Sequence, residues 1–179
     1  MHRLIVGRSN SGKSTLAKQI GRGLMRAGEE VLAFNPTLER GYAKIDSYGV
    51  AGAEFETNDD DTFEHEIIKR FNLDKNKRRF LIIDEAHEFF SRKGCQFLWL
   101  GSRGRHYGFN IIAVTQRGAS IHPSFRSQCS VLYLFQCSLT DAKFLSDEYG
   151  EPALSDAPRM PRGEFQKIDH MGLTTGKVF

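Results

Sequence analysis

Apolar residues along the chain fall into two alternating patterns, short continuous runs and longer stretches at helical spacing. Leu4-Ile5-Val6 is a run of buried-strand type, and a glycine-containing loop from Gly7 to Thr15 follows it at once. From Lys13 to Ala27 the apolar positions Leu16, Ala17, Ile20 and Leu24 recur at helical spacing. Gly28 is placed to cap that helix, while Gly21 and Gly23 weaken it. Val31 to Phe34, closed by Asn35-Pro36, predicts a second strand, and Pro36 to Gly52 a long connection carrying Arg40 and Lys44. Asp61-x-x-Glu64 has the form of a capping box, opening a helix with Phe63, Ile67, Ile68 and Phe71 on one face.

Phe80 to Ile83 is an uninterrupted apolar run between charges, as in a strand buried on both faces of a parallel sheet. Asp84-Glu85-Ala86-His87 stands at its C-terminal end. A helix is expected over Gln96 to Tyr107, then Gly108, a strand from Phe109 to Thr115, and Gln116-Arg117 at that strand's end. Val131 to Phe135 predicts another buried strand, and Ser138-x-x-Asp141 opens a helix carrying Leu139, Phe144 and Leu145. Beyond Gly150 the pattern turns irregular, with Pro152, Pro158 and Pro161, before two short strands near Phe165 to Ile168 and Thr174 to Phe179.

With 179 residues, 40% hydrophobic and 26% charged, the composition fits one soluble globular domain able to form a core unaided. No apolar run approaches the roughly 20 residues of a membrane helix, and the chain is expected to be soluble and not secreted. Cys95, Cys129 and Cys137 lack C-x-x-C spacing, so neither a disulfide framework nor a zinc ribbon is expected. The net charge of +3 does not by itself predict nucleic-acid binding.

Gly7-Arg8-Ser9-Asn10-Ser11-Gly12-Lys13-Ser14 matches G-x-x-x-x-G-K-[ST] between a strand and a helix. This arrangement lets backbone N–H groups and a helix N-terminus surround phosphates, with Lys13 on the β- and γ-groups and Ser14 on magnesium. Asp84 is placed to hold Mg2+ through a water, and Glu85 to polarise a water attacking the γ-phosphate. Gln116 emerges on the same sheet edge, where its amide could orient that water. His87 reads as a cap or a partner for Glu88. Arg103 and Arg105 precede their strand and so face the opposite edge, either as solvated helix-end arginines or, in a ring, as groups that reach a neighbour's nucleotide.

The combination of G-R-S-N-S-G-K-S-T, I-I-D-E-A-H and R-G-R-H-Y-G-F-N-I-I-A-V-T-Q-R resembles the FtsK/HerA superfamily of ring-forming DNA-pumping ATPases, and within it the compact viral genome-packaging ATPases. The resemblance spans roughly Leu4 to Leu145. It implies an α/β P-loop NTPase domain of RecA-like type, with a mostly parallel sheet of order 5-1-4-3-2, helices on both faces and a short antiparallel C-terminal extension. Residues 1–150 would form the ATPase core and 151–179 an extension packed on it.

The resemblance assigns nucleotide binding to Gly7, Asn10, Ser11, Gly12, Lys13, Ser14 and Thr15, metal binding to Ser14 and Asp84, and catalysis to Glu85, Gln116, Lys13 and Arg105. Arg105 matches the family's arginine better than Arg103. Arg92, Lys93 and Arg117 are the DNA-contact residues expected from their loops. The cofactors implied are ATP and Mg2+. The implied partners are double-stranded DNA, further copies in a hexameric or pentameric ring, and capsid or virion-vertex proteins, in the cytoplasm of a host cell or at the virion vertex. The phosphate loop, Asn35-Pro36 and I-D-E-A also resemble thymidine kinases of the cellular type, which carry the zinc ribbon absent here and lack the T-Q-R strand end.

Overall fold

The computed structural model describes residues 1–35, 55–57, 59–74, 77–91 and 98–179. Among these, the elements run β1 (His2–Val6), α1 (Lys13–Arg26), β2 (Glu30–Phe34), β3 (Phe55–Thr57), α2 (Asp60–Leu73), β4 (Arg79–Ile83), α3 (Leu98–Ser102), β5 (Phe109–Thr115), α4 (Pro123–Arg126), β6 (Cys129–Phe135), α5 (Leu139–Tyr149), β7 (Glu164–Asp169) and β8 (Gly172–Lys177). The connection from Pro36 to Gly52, with Arg40 and Lys44, lies outside the described residues, as do Arg92, Lys93 and Cys95.

The strands form one sheet in the order β3-β2-β4-β5-β1-β6-β7-β8. From β3 to β6 every pairing is parallel, and β7 and β8 add antiparallel to β6. The expected order of five parallel strands runs unbroken through the middle. At its edge the sheet gains β3, a strand of 3 residues. So short a strand is held by its ladder to β2 and carries no period of its own.

Side chains alternate across the central strands, dividing the core in two. Leu4, Val6, Leu81, Ile83, Ile111 and Ala113 face one layer with Phe63 and Ile67 of α2, Leu100 of α3 and Leu145 of α5. Ile5, Ile82, Ile112 and Val114 face the other with Leu16 and Ala17 of α1. Each such fully buried aliphatic side chain contributes roughly 1.5–3 kcal/mol relative to exposure. No helix of the described residues is long and apolar enough to cross a membrane.

Several local expectations are corrected. The cap of α2 is Asp59, whose Oδ2 accepts from the Thr62 N–H at 2.8 Å, so the helix starts ahead of Asp61; its buried face holds Phe63 and Ile67 and leaves Ile68 exposed. Leu139, at the first position of α5, is 69% exposed because the buried stripe begins a turn later with Ala142 and Leu145. The helix expected up to Tyr107 ends at Ser102, and a 3-10 turn covers Gly104–Tyr107. Glycines 101 and 104 weaken the α ladder there, and the Ser102 hydroxyl donates back to the Leu98 carbonyl at 3.3 Å. Asp84 to Phe89 form turns instead of a helix, so His87 caps nothing. Finally, β8 begins at Gly172 and stops at Lys177, so Val178 and Phe179 leave the sheet.

At the N-terminal end of the parallel strands, the buried His2 imidazole ties β5 to α3. Its Nδ1 accepts from the Ile111 N–H at 3.0 Å, and Nε2 donates to the Gly101 carbonyl at 2.9 Å. The bond accepted by Nδ1 requires the neutral ring, and burial pushes its pKa from 6.5 to about 4, against the opposite pull of the Gly101 bond. The unfolded chain therefore takes up the proton first as pH falls. The stabilisation, on the order of 3 kcal/mol, is complete above pH 6.5 and lost as pH falls through 6.5 towards 4. Denaturant titrations across that window should show wild type losing stability faster than His2→Gln; parallel curves would contradict the assignment.

Candidate functional site

The phosphate loop leaves β1 between the ends of its two neighbours. The Gly7 N–H donates to the Thr115 carbonyl of β5 at 3.3 Å, and the Arg8 N–H to the Gln136 carbonyl beyond β6 at 2.8 Å. The loop then folds back with left-handed backbone at Asn10 (φ 60°) and Gly12 (φ 114°) and enters α1 at Lys13. Gly12 is tightly enclosed: a Cβ there would sit 2.9 Å from Val178 Cγ2 and 3.1 Å from the Phe135 ring. No side chain caps α1, so its N-terminus is open to an anion.

A cavity of about 550 Å3 opens over this terminus, lined by Asn10, Gly12, Lys13, Ser14, Thr15 and Lys18, by Asn35 and Asp84 at the ends of β2 and β4, and by Arg162 and Phe179. Lys13 is buried, and its Nζ donates to the Arg8 carbonyl at 2.8 Å. Burial pushes its ammonium below the usual value, while the Asp84 and Glu85 carboxylates act in the opposite sense. An ammonium carries three donors, so this group retains hydrogen-bonding capacity for phosphate oxygens.

The Ser14 hydroxyl donates to Asp84 Oδ2 at 3.2 Å, bringing a hydroxyl and a carboxylate from distant parts of the chain to one point of the cavity. Two hard oxygen ligands beside a phosphate cradle fit Mg2+, which usually keeps waters and takes its other ligands from substrate phosphates. Among the described residues no cluster of three or more His, Cys, Asp or Glu offers an all-protein cage.

Glu85 follows with φ 49°, a left-handed conformation uncommon outside glycine and often kept at functional sites. Its Oε1 accepts from Gln116 Nε2 at 3.2 Å, and Gln116 Oε1 accepts from the Ser9 hydroxyl at 3.3 Å. Phosphate loop, β4 end and β5 end are thus joined by one chain of polar side chains. The other carboxylate oxygen of Glu85 is buried without a hydrogen bond, 3.4 Å from His87 Nδ1. His87 thus approaches Glu85, not the Glu88 expected from the sequence.

Arg117 is exposed, on the phosphate-loop edge of the sheet, and lines a smaller cavity of about 190 Å3 with His87, Thr115, Gln116 and Ser120. Arg105 sits in the turn before β5, close enough to His2 to oppose its protonation. The 7 residues of β5 put it roughly 20 Å from the Gln116 end of the same strand. Arg92 and Lys93 lie outside the described residues. Lys18, Asn35, Arg162 and Phe179, which line the cavity, and Ser9, which bonds Gln116, were not assigned a site role from the sequence. Lys18 carried a usable signal, one helical turn beyond Ser14. Arg162 and Phe179 carried none.

Residues 4–143 match the family described as Zonular occludens toxin (Zot). Among curated proteins none matches the sequence. Among solved structures, B204, the DNA-packaging ATPase from Sulfolobus Turreted Icosahedral Virus, superposes with a TM-score of 0.76 at 20% identity, covering 98% of this chain and 96% of that one. The genome packaging NTPase B204 from Sulfolobus turreted icosahedral virus 2, in complex with sulfate, gives 0.79 at 23% identity, covering 98% and 95%. VirB4 of Thermoanaerobacter pseudethanolicus gives 0.73 at 12% identity, covering 99% and 89%. At these identities the likeness establishes the fold.

Lys13 lines the cavity, whereas Glu85 stands beside it in the Gln116 pair. Calorimetry with ATP should show binding lost in Lys13→Ala and kept in Glu85→Gln, while phosphate release by Glu85→Gln drops about a hundredfold or more. Near-normal turnover by Glu85→Gln would remove Glu85 from catalysis.

Proposed function

The chain belongs to the zonular occludens toxin (Zot) family, and from that premise we propose that it is an ATPase that translocates double-stranded DNA as a homo-oligomeric ring, packaging a viral genome into a capsid. The observation that carries this reading is the convergence of Lys13, Ser14 and Asp84 on one cavity, with the Glu85–Gln116 pair beside it. The genome-packaging NTPases that share the fold support it.

In this reading Gly7, Asn10, Ser11, Gly12 and Thr15 form the cradle, and the open N-terminus of α1 draws the phosphates in. Lys13 shifts from the Arg8 carbonyl to the β- and γ-phosphates. Ser14 and Asp84 hold Mg2+, which when bound neutralises charge on the phosphate oxygens. Glu85 takes a proton from the attacking water through the oxygen that carries no hydrogen bond, and Gln116 holds the carboxylate in place through the other. Phosphoryl transfer to water then yields ADP and phosphate.

Residues 1–150 form the motor and 151–179 its extension. Arg105, far from its own cavity, serves the nucleotide of a neighbouring subunit. Arg92, Lys93 and Arg117 meet the DNA backbone, and the protein works in the host cytoplasm, engaging capsid or vertex proteins.

ATP hydrolysis should rise with double-stranded DNA, ignore thymidine, and lose its stimulation steeply as salt releases the phosphate contacts. The triple substitution Arg92→Glu, Lys93→Glu, Arg117→Glu should abolish stimulation. Thymidine monophosphate formation without any DNA response would replace the motor with a nucleoside kinase.

Subunit mixing tests the trans arginine. Arg105→Ala should lower kcat about a thousandfold or more. Mixing it with Lys13→Ala should return part of the activity, because hybrid interfaces pair an intact arginine with an intact cavity. Exchange of subunits without recovery would make Arg105 a structural residue.

A further inference from the structure

Arg162 and Phe179 line the phosphate-loop cavity although neither belongs to a phosphate-binding motif. Both ends of the β7–β8 hairpin are stitched to the loop and its helix. The Gly163 N–H donates to the Ser11 carbonyl, the Val178 N–H to the Gly163 carbonyl, and Gln19 Nε2 to the Val178 carbonyl, each at 3.0 Å. Val178 is buried, and its Cγ2 is 2.9 Å from where a Cβ on Gly12 would lie.

The Phe179 ring lies against Gly163, where the backbone has φ 85° and any Cβ would collide with the ring. Arg162 Cζ stands 5.6 Å from the ring centroid. The residue as a whole nonetheless stays 59% exposed. An aromatic side chain is thus held at the rim of a polar cavity with a guanidinium over its ring.

We propose that Phe179 and Arg162 form the platform that receives the base of the bound nucleotide, a purine stacked on the ring. The inference rests on the reading of this cavity as a nucleoside triphosphate site. Lys13 and the α1 terminus take the phosphates, and Thr15 and Lys18 continue the lining away from them along α1. The cavity's volume exceeds what a phosphate chain fills, and a flat apolar ring with a neighbouring cation matches a base, not a phosphate. Stacking reads the π-face and not the hydrogen-bonding edge, so this platform holds adenine and guanine alike.

The test compares ATP with inorganic tripolyphosphate, which has the charge and no base, on the full chain with magnesium present. Calorimetry should show Phe179→Ala weakening ATP about tenfold while tripolyphosphate affinity is unchanged. KM for ATP should rise with kcat preserved, and GTP should behave as ATP does. Phe179→Trp should restore affinity, with indole fluorescence quenched by ATP and not by tripolyphosphate. Phe179→Leu keeps apolar packing on Gly163 without a π-face; it should lose ATP affinity as the alanine variant does, and it stands in for that variant if alanine does not fold. Equal weakening of both ligands would make Phe179 a prop for the phosphate loop and overturn the proposal, as would no change in either. A wild-type chain that binds neither ligand would overturn the nucleotide reading itself.

Discussion

Everything at the site depends on the burial of β1 between β5 and β6. Leu4, Ile5 and Val6 have no solvent exposure, and both flanking ladders are parallel. A parallel arrangement brings the C-terminal ends of all these strands to one edge, so the backbone emerging after Val6 meets the carbonyls of Thr115 and Gln136. Those contacts set the start of the phosphate loop, and the first turn of α1 sets its finish. The same edge receives Asn35, Asp84 and Gln116 from the strands alongside.

The electrostatics of the site follow from that convergence. A buried ammonium at Lys13 is disfavoured by desolvation and supported by two carboxylates that reach it only because β4 ends on the same edge. Glu85 depends in turn on Gln116, and Gln116 on Ser9, so displacement of the phosphate loop would be felt at the carboxylate.

The sheet also separates two groups of polar residues. Its C-terminal edge carries the phosphate cradle, and its N-terminal edge carries His2 and the Arg105 turn, kept apart by the length of β5. An arginine so placed is too far to reach the cavity of its own chain.

Much of this was legible in the residues. Apolar runs such as Phe80 to Ile83, too short for helices and bounded by charges, marked strands buried on both faces. The G-x-x-x-x-G-K-S spacing fixed the place of the phosphate loop, because that chemistry needs a strand before it and a helix after it. Local signals were less secure where tertiary packing competes with them: the cap of α2 moved to Asp59, the helix before β5 broke at its glycines, and β3 exists only through its partner. The tertiary structure alone decided that Gln116 grips Glu85, 31 residues away, and that Gln19 bonds Val178, 159 residues away. Periodicity and motif spacing report interactions within a few turns of chain. Contacts between segments this far apart arise only once the sheet is assembled, and they close the site from the side that no motif describes.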